Sequence, residues 1–167
     1  MSALSIRRFP DPILKRPTRA VARVDGTVSA LIDGMIALMR SQPRCVGLAA
    51  PQAGSELRVA VIDASSYPKV ASSHSLLVLV NPQLVAREGM LLQREGCLSV
   101  PDFTGNVRRA ARVRLKAWDR SGDPYELWLE GFEAVIAQHE VDHLDGLLFL
   151  DRVANLNTDI FLRKTYR

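Results

Sequence analysis

The sequence predicts an α+β fold with antiparallel sheets, and two observations carry that prediction. Segments 112–118 and 125–130 each alternate polar and apolar residues, and Ser121-Gly122-Asp123-Pro124 turns the chain between them. Such a pair is antiparallel, with one buried face. Directly after it the apolar period becomes helical over 132–143, with Gly131 ending the strand and Gly146 stopping the helix.

The other elements follow in chain order. Pro10, Pro12 and Pro17 favour an extended or turning arm. Asp25-Gly26-Thr27 reads as a helix entry. Val28, Leu31, Ile32, Met35, Ile36, Leu38 and Met39 then recur at helical spacing, predicting an amphipathic helix that ends before Pro43. Segments 59–62 and 76–80 read as buried strands, the second closed by Asn81-Pro82, with a polar loop over 64–75 between them.

With 167 residues, 47% hydrophobic and 24% charged, the chain reads as one domain over 1–167 with a real core. Its apolar runs are too short for a bilayer and its opening lacks a signal-peptide core. Two cysteines in a chain this long do not imply a disulfide framework. A cytoplasmic protein with reduced thiols and no membrane partner is expected. The net charge of +4 comes from scattered arginines without interleaved aromatics, so no specific nucleic-acid readout is expected.

The chemistry is concentrated in Gln138-His139-Glu140-Val141-Asp142-His143. Residues i and i+4 share a helix face, so His139 and His143 can offer their rings to one cation. Glu140 projects beside that cation, where it can take a proton from an acidified water. Phe132, Val135 and Ile136 precede His139 by seven, four and three residues, so the histidines continue an apolar stripe. A hydrolytic site needs a third ligand and an open position. Cys97, in the glycine-containing stretch Arg94-Glu95-Gly96-Cys97-Leu98-Ser99, is the natural one; Cys45, in Cys45-Val46-Gly47-Leu48-Ala49-Ala50-Pro51-Gln52, competes for the role.

Taken together, these stretches resemble the three motifs of the peptide deformylase family, in the family's order. Glu95-Gly96-Cys97-Leu98-Ser99 and Gln138-His139-Glu140-Val141-Asp142-His143-Leu144 match in full. The first motif is kept in Gly47-Leu48-Ala49-Ala50 and Gln52, but Cys45 stands where the family has a leading glycine.

The resemblance implies antiparallel sheets packed around a central helix that carries the histidines. It implies that Cys97, His139 and His143 hold one divalent ion, Fe(II) in the cell with Zn or Ni in isolated protein. Glu140 would be general base and then acid, while Gln52 and the Leu98 backbone N–H would meet the oxygen of the reacting group. The implied reaction is hydrolysis of the formyl group from formyl-methionine at the start of nascent chains. Val46, Phe132, Val135 and Ile136 would receive the methionine side chain or belong to the core, and backbone groups of Val46 and Gly47 would hold the peptide. The basic tail after Val153 reads as a frayed, solvated terminus, or as a transient contact to the ribosome. A zinc peptidase and a non-catalytic formyl-peptide binder are the competing readings.

Overall fold

The computed structural model describes residues 4–68, 70 and 73–164. Part of the expected 64–75 loop (69, 71 and 72) and the last three residues of the tail lie outside the described residues.

The first helix, α1 (Gly26–Ser41), begins where Asp25 accepts hydrogen bonds from the Thr27 and Val28 N–H groups, both at 3.0 Å. A short aspartate acceptor of this kind satisfies backbone donors that the first turn would leave unpaired. The helix buries Val28, Ile32, Met35, Ile36 and Met39, the face that the spacing predicts. It packs on two strands, β1 (Gly47–Ala49) and β2 (Val59–Ile62).

Five strands form the larger sheet: β1, β2, β3 (Leu77–Glu88), β6 (Arg112–Trp118) and β7 (Pro124–Glu130), in that spatial order with every pairing antiparallel. β3 runs well past the Asn81-Pro82 stop that the sequence suggests. Asn81 absorbs the break by taking φ +52, and the register with β6 slips between Val80 and Gln83. Its side chain accepts from the Val21 N–H and donates to the Val21 carbonyl, both at 2.8 Å, while its own N–H donates to the Arg58 carbonyl at 2.9 Å. The strand therefore bulges and continues.

A second sheet joins β4 (Leu91–Cys97), β5 (Val100–Arg109) and β8 (Ile160–Leu162). This corrects the reading of the tail: β8 pairs Phe103–Gly105 of β5 instead of fraying. The Arg94 guanidinium lies 3.6 Å from the centre of the Phe161 ring, which holds the strand down.

The late helix, α2 (Gly131–Leu144), is central, as the resemblance implies, and buried on most of its surface. The sequence reads it as a helix with an apolar stripe, yet Glu133, Gln138, Glu140, Asp142 and His143 are all buried. Most of these polar groups have partners, as burial demands. Glu133 takes the His74 N–H and ring at 2.8 and 2.9 Å, and Gln138 spans the Ala110 N–H and carbonyl at 2.9 and 3.0 Å. Gly146, at φ +77, ends the helix; a β-carbon there would meet the Lys15 and Arg16 backbone at about 3 Å. Only glycine suits both demands.

Candidate metal centre

Three ligand-type atoms converge where α2 passes the end of β4. Cys97 Sγ lies 3.2 Å from His143 Nε2, which lies 3.2 Å from His139 Nε2, and the three fall within 4.8 Å of one another. A tetrahedral ion with nitrogen at about 2.0–2.1 Å and sulfur at about 2.3 Å separates its ligands by roughly 3.3 to 3.6 Å. The two 3.2 Å separations are close to that size. The cluster's electrostatics fit a cation as well. Burial alone would raise the Cys97 thiol, but the His143 and His139 rings outweigh it and hold it well below the ordinary range. Burial alone would lower His139, whereas Cys97 and then Glu95 hold it well above. Thiolate and imidazole sharing protons in a buried space can release them to a divalent ion.

The sequence leaves two cysteines open as the third ligand, and the geometry separates them. Cys45 is not in the cluster; its thiol donates to the Gly47 carbonyl at 3.1 Å. Burial, with the Glu140 charge adding to it, pushes the Cys45 thiol up to about 12, so it stays protonated and poorly nucleophilic.

Behind the histidines runs a buried ionic chain that the sequence did not disclose. Glu95 accepts from His139 Nδ1 at 2.8 Å, leaving Nε2 to face the cluster. Arg109 grips Glu95 with two bonds, 2.6 and 2.9 Å, and reaches Asp142 at 2.6 Å. Asp142 also receives Arg152 at 2.8 and 3.2 Å. Burial would raise Glu95, but Arg109 and His139 overcome it and bring the carboxyl down to about 2. Glu95 stands in the motif, so its position was visible; Arg109 stands on β5, a strand without a clear periodic signal.

Glu140 is buried beside the cluster, with Oε2 lacking a hydrogen-bond partner among the described residues. Burial pushes its carboxyl up to about 7, against the downward pull of the two imidazoles. It reaches this position because residue 47 is glycine: a β-carbon there would sit 2.5 Å from Glu140 Oε1 and 2.9 Å from Ile136. Gln52 is fixed by the Ala49 N–H, which donates to its Oε1 at 3.0 Å. Its amide nitrogen is thereby turned toward Cys97 Sγ (3.4 Å) and Ser99 Oγ (3.3 Å).

A cleft of about 410 Å³ opens onto this centre. Val46, Gly47, Gln52, Cys97, Leu98, Phe132, Val135, Ile136, His139 and Glu140 all line it. His143 does not; it is buried beneath and reaches the cluster through Nε2. Phe132 serves both readings, since it lines the cleft and stacks on Tyr67 with ring centres 4.4 Å apart. Tyr67 was missed because it stands in a segment read only as loop. The cleft runs between two sheet edges, β1 on one side and β4 on the other, with α2 between.

A sequence model of the polypeptide deformylases matches residues 3–159. The chain belongs to the polypeptide deformylase family. Peptide deformylase of Thermodesulfovibrio yellowstonii is 40% identical over 164 residues, covering 98% of this chain and 97% of that protein. Among solved structures, a peptide deformylase from Legionella pneumophila superimposes with TM-score 0.83 at 40% identity, over 93% of this chain and 88% of that one. A class I type b peptide deformylase from Acinetobacter baumannii, bound to Met-Ala-Ser, gives 0.84 at 36%, over 91% and 99%. The likeness extends to the α+β architecture, with antiparallel sheets about a central helix. As a deformylase, the chain is a hydrolase that removes the N-terminal formyl group of polypeptides, and a divalent metal belongs to that chemistry. Among the described residues no helix is long and apolar enough to cross a membrane.

Proposed function

We propose that the cleft receives the formyl-methionine end of a nascent polypeptide, with Cys97, His139 and His143 holding one divalent cation beside the formyl group. Fe(II) is the ion proposed for the cell, and Zn or Ni suits the same ligands in isolated protein. A divalent cation bound there supplies Lewis acidity, which acidifies water and polarises a carbonyl.

The chain's own side chains do the remaining work. Glu140 takes a proton from the attacking water and passes it to the peptide nitrogen as the carbon–nitrogen bond breaks. Formate and a free N-terminus leave. Gln52 Nε2–H and the Leu98 backbone N–H donate to the formyl oxygen as it gains negative charge; fixed donors of this kind need no reorganisation. Val46, Phe132, Val135 and Ile136 receive the methionine side chain.

The Val46 carbonyl is taken by the Asp63 N–H at 2.8 Å, so the alternation of the strand turns the polar groups of Gly47 toward the cleft. The peptide therefore adds as a strand along Gly47. The Acinetobacter enzyme was solved with the short peptide Met-Ala-Ser bound, which supports a peptide ligand for the family. We read residues 1–167 as one catalytic domain acting in the cytoplasm, with any ribosome contact transient.

The observation that carries this reading is the Cys97–His143–His139 cluster with Glu140 beside it. Formate release by anaerobically purified enzyme tests it. A formyl-Met tripeptide is expected to be cleaved and its acetylated counterpart left intact. Cleavage of internal peptide bonds without formate would favour a peptidase, and full metal occupancy without formate a binding protein.

A further inference from the structure

The mouth of the cleft is strongly cationic. Arg44 lines it from the β1 side, while Arg94, Arg163 and Lys164 line it from the β4–β8 side. The acidic residues in the lining are Glu95 and Glu140, both buried at the bottom, and Glu95 is already neutralised by Arg109 and His139. Among the described residues no carboxylate lies within ion-pair distance of Arg94, Arg163 or Lys164.

These cations are placed by the fold. Arg44 stands in a left-handed turn, φ +59, directly before the β1 edge. Arg94 is fixed over Phe161 and donates to Asn106 Oδ1 at 3.3 Å. Arg163 lies across the face of Gly96, so close that a β-carbon on Gly96 would collide with its guanidinium, and it reaches the Cys97 carbonyl at 3.5 Å. The β5–β8 pairing carries both Arg163 and Lys164 to this place.

In the binding mode proposed above the first side chain enters the apolar floor formed by Val46, Phe132, Val135 and Ile136, which leaves the cationic rim for the residues that follow. We propose that this rim selects formylated peptides with carboxylates at the second and third residues. The proposal rests on the deformylase reading of the same cleft. Arg163 and Lys164 stand on the β4–β8 wall at the rim, with Arg163 over Gly96, so their charges face a chain that runs along that wall. Attraction between groups this exposed acts on encounter and ground-state binding, so it belongs in KM more than in kcat.

The test uses three C-terminally amidated peptides, formyl-Met-Glu-Glu, formyl-Met-Gln-Gln and formyl-Met-Lys-Lys, with amidation removing a terminal carboxylate that would blur the comparison. At low salt, kcat/KM for the Glu peptide is expected to exceed that for the Lys peptide about tenfold, as a few exposed charge pairs acting together allow. The ratio should fall toward one at about 0.5 M salt, where screening is strong. Arg163→Ala/Lys164→Ala should cut it to roughly threefold. Each ratio comes from one preparation, so partial loss of metal or fold cancels. A ratio of one or below at low salt, or one unmoved by the double substitution, overturns the proposal. Equal cleavage of all three peptides would remove the selectivity while the deformylase reading stood; no formate from any would remove both.

Discussion

His139 Nδ1 sits 2.8 Å from Glu95 Oε2, and that carboxylate is held in turn by the Arg109 guanidinium. The contact fixes both the ring plane and the tautomer of His139, which sets where its Nε2 points. Glu95→Gln should therefore lower metal affinity about 10–100-fold while the fold survives. Chelator competition at fixed pH measures this, and unchanged affinity would remove Glu95 from the account. Glu95→Ala is the harsher change: it strands a buried guanidinium and should destabilise by about 3–5 kcal/mol.

Glu140→Ala should keep the metal and lower kcat by about 10²–10⁴-fold. Metal content and formate release measured on the same sample separate the two effects. Loss of the ion together with the rate would make Glu140 a ligand.

Cys45→Gly removes a thiol that now donates to the Gly47 carbonyl, the group proposed to receive substrate backbone. Activity should be equal or higher, with the gain in KM. A collapse in kcat would show that the thiol takes part in the reaction.

Stability in acid should depend on Asp151. Burial works slightly against its charged form, but the Leu148 N–H and the Lys15 ammonium outweigh that and lower its pKa. A carboxyl depressed in the folded state adds stability above its unfolded pKa of about 3.9 and loses it as pH falls through the folded value. Asp151→Asn should thus unfold more easily than wild type at pH 6, and the difference should shrink below about pH 4. The gap will be modest, because the pair is well exposed and screened. Denaturant midpoints at the two pH values would show it; an equal gap at both would contradict the assignment.

Much of this site is legible in the sequence because its chemistry is local. His139, Glu140 and His143 declare themselves by spacing on one helix, and strands β6 and β7 by strict alternation. What escapes is carried by long-range pairing. Arg109 and Asp142 stand 33 residues apart and look like ordinary surface charges until the fold buries them against each other, with the exposed Arg152 reaching Asp142 from outside. The strands β4 and β5 hide for a similar reason: Gly96, Gly105 and several charged side chains break their alternation, so only the partner strand shows what they are. Solvent patterning also misleads for α2, whose polar residues face other parts of the protein instead of water.

Metal-edge X-ray absorption on anaerobically purified enzyme tests the central claim most directly. The account predicts one sulfur at about 2.3 Å and two imidazole nitrogens at about 2.0–2.1 Å around the ion, with the sulfur lost in Cys97→Ala and kept in Cys45→Ala. A shell of nitrogen and oxygen alone, or a sulfur that disappears with Cys45, would contradict it.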